Sequence, residues 1–228
     1  MLDSGESISH VVPTFEGYAI PHATVKIPIG GRDLTNYMRK ILKERSITFN
    51  NQSESHIVQD IKETMTYVVA DFQGGLKESA ESNACEMDYE MPDGRKILIG
   101  NERFRCPEVL FQPSLCGKRD LKGFHEQVYE SIMRTDEDVQ GEMLPNIVLS
   151  GGNTLFDGLA GRLWNELDQM KRSGRPNQIY IDHQPARKYS VWLGGSILAS
   201  LDTFMAQWIT RYEYDEAGPS IIHRKCLL

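Results

Sequence analysis

Between residues 147 and 167 the chain commits itself to one local geometry. Ile147-Val148-Leu149 is a short apolar run of the kind that forms a buried strand, and Ser150-Gly151-Gly152-Asn153 supplies a tight turn. Leu155, Leu159, Leu163 and Leu167 then recur at the four-residue spacing of one helical face. A strand that feeds a glycine turn and opens a helix can present backbone N–H groups to a phosphate or a ribose. An αβ unit also needs glycines for geometry alone, so this turn by itself leaves both readings open.

The rest of the chain mixes the same two periods. Ile8, His10 and Val12 share one face of a strand, and after Pro13 the run Val25, Ile27, Ile29 places apolar groups at every second position. Beyond Gly30-Gly31, Leu34, Tyr37, Met38, Ile41 and Leu42 follow a helical pattern, with Asp33 as its N-cap. A second helix after Ser53 carries Ile57, Ile61, Met65 and Val68. Residues 73–88 are small, polar and acidic and read as a solvated loop with one short helical turn. Tyr89 to Ile99 reads as a hairpin closed by Pro92-Asp93-Gly94, and Phe124, Val128 and Ile132 mark another helix. A last strand at Ile179-Tyr180-Ile181 precedes an apolar, helix-like region holding Trp192, Ile197, Leu198, Leu201, Phe204 and Trp208.

A length of 228 residues favours one large domain or two small ones, with ample chain for a core. The 32 acidic residues exceed the 25 basic ones, which fall in scattered pairs such as Arg39-Lys40, Lys118-Arg119 and Arg224-Lys225. With no basic stripe to meet a phosphate backbone, nucleic acid is a poor partner. Val191 to Leu201, the longest nearly apolar stretch, is broken by Gly194, Gly195, Ser196 and Ser200 and is too short for a membrane span. The first six residues hold no cationic or apolar signal region, so export is not expected. Cys85, Cys106, Cys116 and Cys226 have no CxxC spacing and read as free thiols of a reducing compartment. A zinc site built from Cys106, Cys116 and a distant histidine is the alternative.

Asp3-Ser4-Gly5 with His10 has the composition of a turn that holds a metal-bound phosphate, the carboxylate acting through magnesium. An ordinary β-turn beside a surface histidine explains the same residues. A Ser4, His10, Asp3 hydrolase triad is less favoured, since no nucleophile-elbow sequence surrounds the serine. Lys62-Glu63 is by default an exposed charged pair, and His22, His56, His125, His183 and His223 lack ligand spacing.

These signals occur together within long runs: Glu16 to Ala23 (EGYAIPHA), Gly31 to Thr35 (GRDLT), Ile99 to Glu108 (IGNERFRCPE), Leu149 to Gly152 (LSGG), Arg187 to Trp192 (RKYSVW) and Glu213 to Ile221 (EYDEAGPSI). Through them the chain closely resembles the actin family over essentially every residue. The resemblance implies an α/β, actin-like ATPase (ribonuclease H-like) fold. Met1 aligns to the interior of an actin, so this chain would be the second lobe with an inserted, mostly helical subdomain, the first lobe being largely missing. The expected division is 1–29 plus 119–189 as the large-lobe α/β core, 30–118 as the inserted subdomain, and 190–228 as C-terminal helices belonging to the first lobe.

The resemblance also implies roles. Asp3 and His10 would be catalytic, Asp3 on the magnesium side through water and His10 orienting the attacking water. Ser4, Gly5, Glu6, Gly31, Lys62, Glu63, Gly151, Gly152, Leu155, Phe156 and Lys188 would bind ATP or ADP with magnesium, with Glu63 accepting from a ribose hydroxyl and Lys62 near the base. Gly17, Leu193, Ile197, Leu198, Leu201 and Thr203 would face partner proteins, namely actin protomers and actin-binding proteins of a cytoplasmic cytoskeleton. Against the family pattern, Glu6-Ser7 replaces Asp-Gly, Gln59 an arginine, Phe156 a tyrosine and Gln207 a methionine. The loop around Lys118-Arg119-Asp120 is more charged and one residue longer.

Phosphoryl transfer needs stabilising groups on both sides of the phosphate chain. With the family's first phosphate loop and catalytic glutamine absent from these residues, weak or no ATP binding and negligible hydrolysis are expected. The apolar residues from Leu193 to Trp208 would lose packing with the missing half, leaving that segment mobile, partner-bound or aggregation-prone. The expected function is a filament-forming, ATP-binding cytoskeletal protein. The alternatives are a non-catalytic actin-like interaction module or a truncated product without function.

Overall fold

The computed structural model describes residues 1–49, 51–170 and 178–226. Nine strands run through them: β1 (Leu2–Ser4), β2 (Ser9–Val11), β3 (Thr14–Phe15), β4 (Tyr18–Ala19), β5 (Val25–Ile27), β6 (Met87–Glu90), β7 (Lys96–Ile99), β8 (Ile147–Ser150) and β9 (Ile181–Asp182). The helices are α1 (Gly31–Glu44), α2 (Gln52–Met65), α3 (Phe72–Glu81), α4 (Glu102–Glu108), α5 (Phe124–Met133), α6 (Glu137–Met143), α7 (Leu159–Met170), α8 (Ser190–Ala199), α9 (Arg211–Ala217) and α10 (Ile222–Lys225). By internal contacts the chain divides into two units, Met1–Lys188 and Tyr189–Leu228.

In the first unit a mixed sheet has the order β5-β2-β1-β8-β9. β2 pairs antiparallel with β1 and β5, whereas β8 pairs parallel with β1 and β9. Strands alternate faces, so Leu2 and Ser4 point into the core while Asp3 points away. The five apolar residues read as the face of α1 are all buried, and they meet Val58 and Ile61 of α2 and Cys106 of α4. α5 buries Phe124, Val128 and Ile132, and α7 buries Leu159, Leu163 and Leu167 in the same core. The hairpin β6–β7 forms as its sequence predicts, with Gly94 at φ +80° in the turn.

Several local expectations are corrected. Asp33 sits at the third helical position, not the cap, and its Oδ2 accepts from the Gly30 N–H at 3.0 Å. Residues 73–81 belong to helix α3 rather than a loop, because Asp71 Oδ1 caps the Gln73 N–H at 3.0 Å and Phe72 anchors the start edge-on against Phe104. Ile8, His10 and Val12 do share a face, yet the buried face of β2 is Ser9 and Val11. A hydroxyl with partners inside the core outweighed apolar alternation there. Leu155 ends a 3₁₀ turn, Gly152–Leu155, and is exposed, α7 beginning only at Leu159. Of Ile179-Tyr180-Ile181 only Ile181 enters a strand, although the Tyr180 carbonyl still accepts from the Ile147 N–H at 3.1 Å.

In the second unit α8 stops at Ala199, and Leu201 is extended before a 3₁₀ segment, Asp202–Gln207. The apolar run is therefore two short pieces, not one helix. α9 starts at a reciprocal cap in which Glu213 Oε2 accepts from the Thr210 N–H at 2.8 Å and Thr210 Oγ1 accepts from the Glu213 N–H at 3.3 Å. Lys225 Nζ reaches Glu213 at 2.5 Å and the Trp208 carbonyl at 2.7 Å. No helix among the described residues is long and apolar enough to cross a membrane.

Candidate functional site

Two loops leave the sheet side by side. β1 and β8 are parallel neighbours with Leu2 opposite Leu149 and Asp3 opposite Ser150, so the loop after Ser4 and the turn after Ser150 emerge from the same edge. Ligands of α/β sheets collect beyond the carboxyl ends of parallel strands. Asp3 is also directly opposite His10 of β2, and Ser150 donates its hydroxyl to Asp3 Oδ1 at 2.8 Å. The carboxylate and the imidazole therefore share the face that points away from Ser4.

On the core side a chain of polar bonds ties the loops together. Ser9 Oγ donates to the Ile29 carbonyl at 2.7 Å, which leaves its oxygen to accept from Ser4 at 2.7 Å. Ser4 in turn accepts from Asn153 Nδ2 at 3.1 Å, and the same amide donates to the Gly5 carbonyl at 2.6 Å. All three side chains are buried. With Ser4 on the face opposite Asp3 and His10, the hydrolase triad does not form.

Glycines let these loops approach. Gly151 has φ +86° and ψ 158°, a region open essentially to glycine alone, and a Cβ there would lie 2.3 Å from the Ser4 carbonyl oxygen. The Gly31 and Arg32 N–H groups at the start of α1 donate to the Gly5 and Glu6 carbonyls at 2.9 and 2.8 Å. A Cβ on Gly30 would lie 2.4 Å from the Glu6 carbonyl oxygen, so the α1 terminus seats directly on the loop. Arg187 braces the other turn, its carbonyl accepting from the Gly151 N–H at 3.0 Å and its guanidinium donating to the Thr154 carbonyl at 2.9 Å.

Between the loops and α2 lies a cleft of about 590 Å³, bordered by Gly5, Glu6, Lys62, Glu63, Gly152, Leu155, Phe156 and Lys188 among the expected residues. Asp3, Ser4, His10, Gly31 and Gly151 do not line it. They stand behind it, as the strand residues and glycines that support the lining. Lys62 is a correction, since it is only 3% exposed and donates to the Gly31 carbonyl at 3.2 Å instead of standing on the surface. Gln59 also lines the cleft, and its amide donates to Glu63 Oε1 at 2.8 Å. Phe156 is buried as part of the wall, while Gly152 faces open space.

Asn153, Thr66 and Asp157 belong to this site and were not among the expected residues. For Asn153 no local signal was available, since the amide bonds Ser4 and Gly5 at the other end of the sequence. Gly17 lies at the β3–β4 turn with φ +86°, within the first unit. Leu193, Ile197, Leu198, Leu201 and Thr203 are exposed on the second unit.

The zinc alternative finds no support. Cys106 is wholly buried, its thiol 3.5 Å from the Leu34 carbonyl and pushed up to about 12 by burial, with Lys62 pulling the other way. All four cysteines are free, and no group of three His, Cys, Asp or Glu among the described residues could hold a metal.

In comparison with protein families, the chain matches the family described as Actin over residues 1–227. With a mixed α/β sheet, a paired-loop cleft and a match of that extent, the chain belongs to the actin family and carries an actin-like ATPase fold.

Proposed function

We propose that this actin-like protein holds ATP or ADP with magnesium in the cleft between the β1 loop, the β8 turn and α2, as part of a cytoplasmic cytoskeletal polymer. The observation that carries this reading is the Asn153 link, which fixes two glycine-bearing loops side by side at the carboxyl ends of parallel strands. Actin-family proteins generally bind ATP or ADP with a divalent metal, which supports the choice of ligand. In this reading 1–29 plus 119–189 form the core, 30–118 the inserted subdomain and 190–228 the helices of the other lobe.

The residues fit that ligand. Gly5, Glu6 and Gly152 provide backbone at the phosphates with Gly151 setting the turn behind them, Lys62 and Lys188 provide cations, and Glu63 accepts from a ribose hydroxyl with Gln59 holding one of its oxygens. Leu155 and Phe156 supply the apolar wall. Glu6, Glu63 and Asp157 place three carboxylates against those two ammonium groups, so the lining favours a magnesium-neutralised polyphosphate over a bare anion. Bound magnesium would withdraw charge from the phosphate oxygens. Asp3 would hold it through water, Ser150 fixing the carboxylate, and His10 would orient an attacking water. Within these residues only one wall surrounds the phosphates, so turnover is negligible.

A titration with a fluorescent ATP analogue, with and without magnesium and competed by ATP, tests this. Weak, magnesium-dependent, competable binding is expected. Tight stoichiometric binding would overturn the one-wall argument, and absence of any competable signal would remove the nucleotide reading. A second reading, a non-catalytic module that docks on actin or its regulators, is favoured by the apolar surface of the second unit, where Trp192 is 73% and Ile197 57% exposed. Co-sedimentation with filaments in the absence of nucleotide separates it from the first.

A further inference from the structure

The charged loop that departs from the family pattern is tied down. Lys118 Nζ pairs with Asp33 Oδ1 at 2.9 Å and also donates to the Pro28 carbonyl, and both charged side chains are about two-thirds buried, at 31% and 27% exposure. At the far end of the loop Lys122 pairs with Glu130, while Leu121 packs on the core. Arg119 and Asp120 at the tip are exposed.

Asp33 serves two masters. Its Oδ1 takes the lysine, while its Oδ2 caps the Gly30 N–H at 3.0 Å. The next two N–H groups, of Gly31 and Arg32, donate to the Gly5 and Glu6 carbonyls on the cleft loop. Gly30 itself is in such contact with Glu6 and Ser7 that a single Cβ would displace their backbone. The surface loop and the cleft loop thus bear on the same four residues, 30–33.

We propose that Lys118 is a latch, holding loop 117–122 against the start of α1 and coupling the loop's release to loosening of the Gly5–Glu6 loop. The latch concerns regulation of the site described above, but its contacts involve no ligand and stand independently of the nucleotide reading. An anionic side chain on a neighbouring molecule could compete for the Lys118 ammonium, and high salt weakens the pair.

Amide exchange on the full chain tests both halves. Lys118→Met and Asp33→Asn each remove the ion pair, and the asparagine oxygen can still cap Gly30. Either substitution is expected to speed exchange of residues 117–122 about tenfold and of the Gly31 and Arg32 amides several-fold, as local opening becomes easier. Lys118→Arg keeps the charge and is expected to stay close to the parent. Raising salt from 50 to 500 mM is expected to speed loop exchange in the parent and not in Lys118→Met. Unchanged loop exchange in both variants, or equal salt dependence in parent and variant, overturns the latch. A faster loop with unchanged Gly31 and Arg32 amides overturns the coupling. Thermal unfolding of each variant followed by circular dichroism distinguishes local release from global loss of fold.

Discussion

Replacing Asn153 separates hydrogen bonding from packing at the centre of the site. Asn153→Ala deletes two donated bonds, to Ser4 Oγ at 3.1 Å and to the Gly5 carbonyl at 2.6 Å. Neither acceptor is orphaned, because Ser4 keeps Ser9 and the Gly5 carbonyl keeps the Gly31 N–H. The cost is then two net bonds at about 1 kcal/mol each, roughly 2 kcal/mol in all. With a urea slope of about 2 kcal/mol/M, the midpoint moves down by roughly 1 M. Asn153→Asp is nearly isosteric but replaces the donating amide by a carboxylate, placing acceptor against acceptor at Gly5. It should cost more than alanine at pH 7, and part of the loss should return as acid protonates the new carboxyl. Urea denaturation monitored by circular dichroism measures both. If Asn153→Asp kept the parent midpoint at pH 7, the assignment of the amide as donor to Gly5 would be refuted.

Other expectations are as specific. Gly151→Ala forces a Cβ to within 2.3 Å of the Ser4 carbonyl in a glycine-only backbone region and should cost about 3 kcal/mol or more, whereas Gly152→Ala meets open space and should shift the urea midpoint little. His125 stacks on Phe111 with centroids 5.9 Å apart, its Nδ1 is buried without a partner among the described residues, and burial holds its pKa below 6.5, Glu166 and Glu126 opposing. The folded form therefore protonates later than the unfolded one, so stability falls as pH drops below 6.5. His125→Phe keeps the stack and should flatten that part of the stability curve; an unaltered slope would exclude His125 as its cause. Glu213 is held down to about 2, first by Lys225 and then by Thr210. Its contribution to the α9 cap is present above pH 4.5 and lost as pH falls toward 2, and Lys225→Met should raise the carboxyl midpoint measured by NMR.

Local periodicity was enough for the helix faces: the buried residues of α1, α5 and α7 sit at the spacings their sequences display. It failed where a polar group was satisfied by something distant. Ser9 occupies the buried face of β2 because Ser4 and the Ile29 carbonyl await its hydroxyl, and no window around Ser9 contains Ile29. Lys62 is buried for a similar reason, its partner being 31 residues away at Gly31. α3 was hidden by composition, because Gly74, Gly75 and Ser79 mask a start fixed by Asp71 and Phe72. The cleft residues became legible through the family resemblance rather than through spacing. Asn153 escaped because its partners are 148 and 149 positions earlier, across a parallel pairing that only the folded sheet creates.

The charge balance of the cleft limits what this wall can do unaided. Lys62 already gives a bond to Gly31, and its buried ammonium is fixed by that contact rather than aimed freely. Glu6 is more than half exposed and lies near Arg32 at 3.8 Å, a separation worth little in solvent. Lys188 is the other cation of the lining, and the backbone N–H groups of Gly31, Arg32 and Gly151 are already committed to Gly5, Glu6 and Arg187. What remains is geometry: two loops locked at a fixed spacing, with an open glycine at position 152. Under the proposed reading, such a wall would orient a magnesium-bound polyphosphate better than it would attract one.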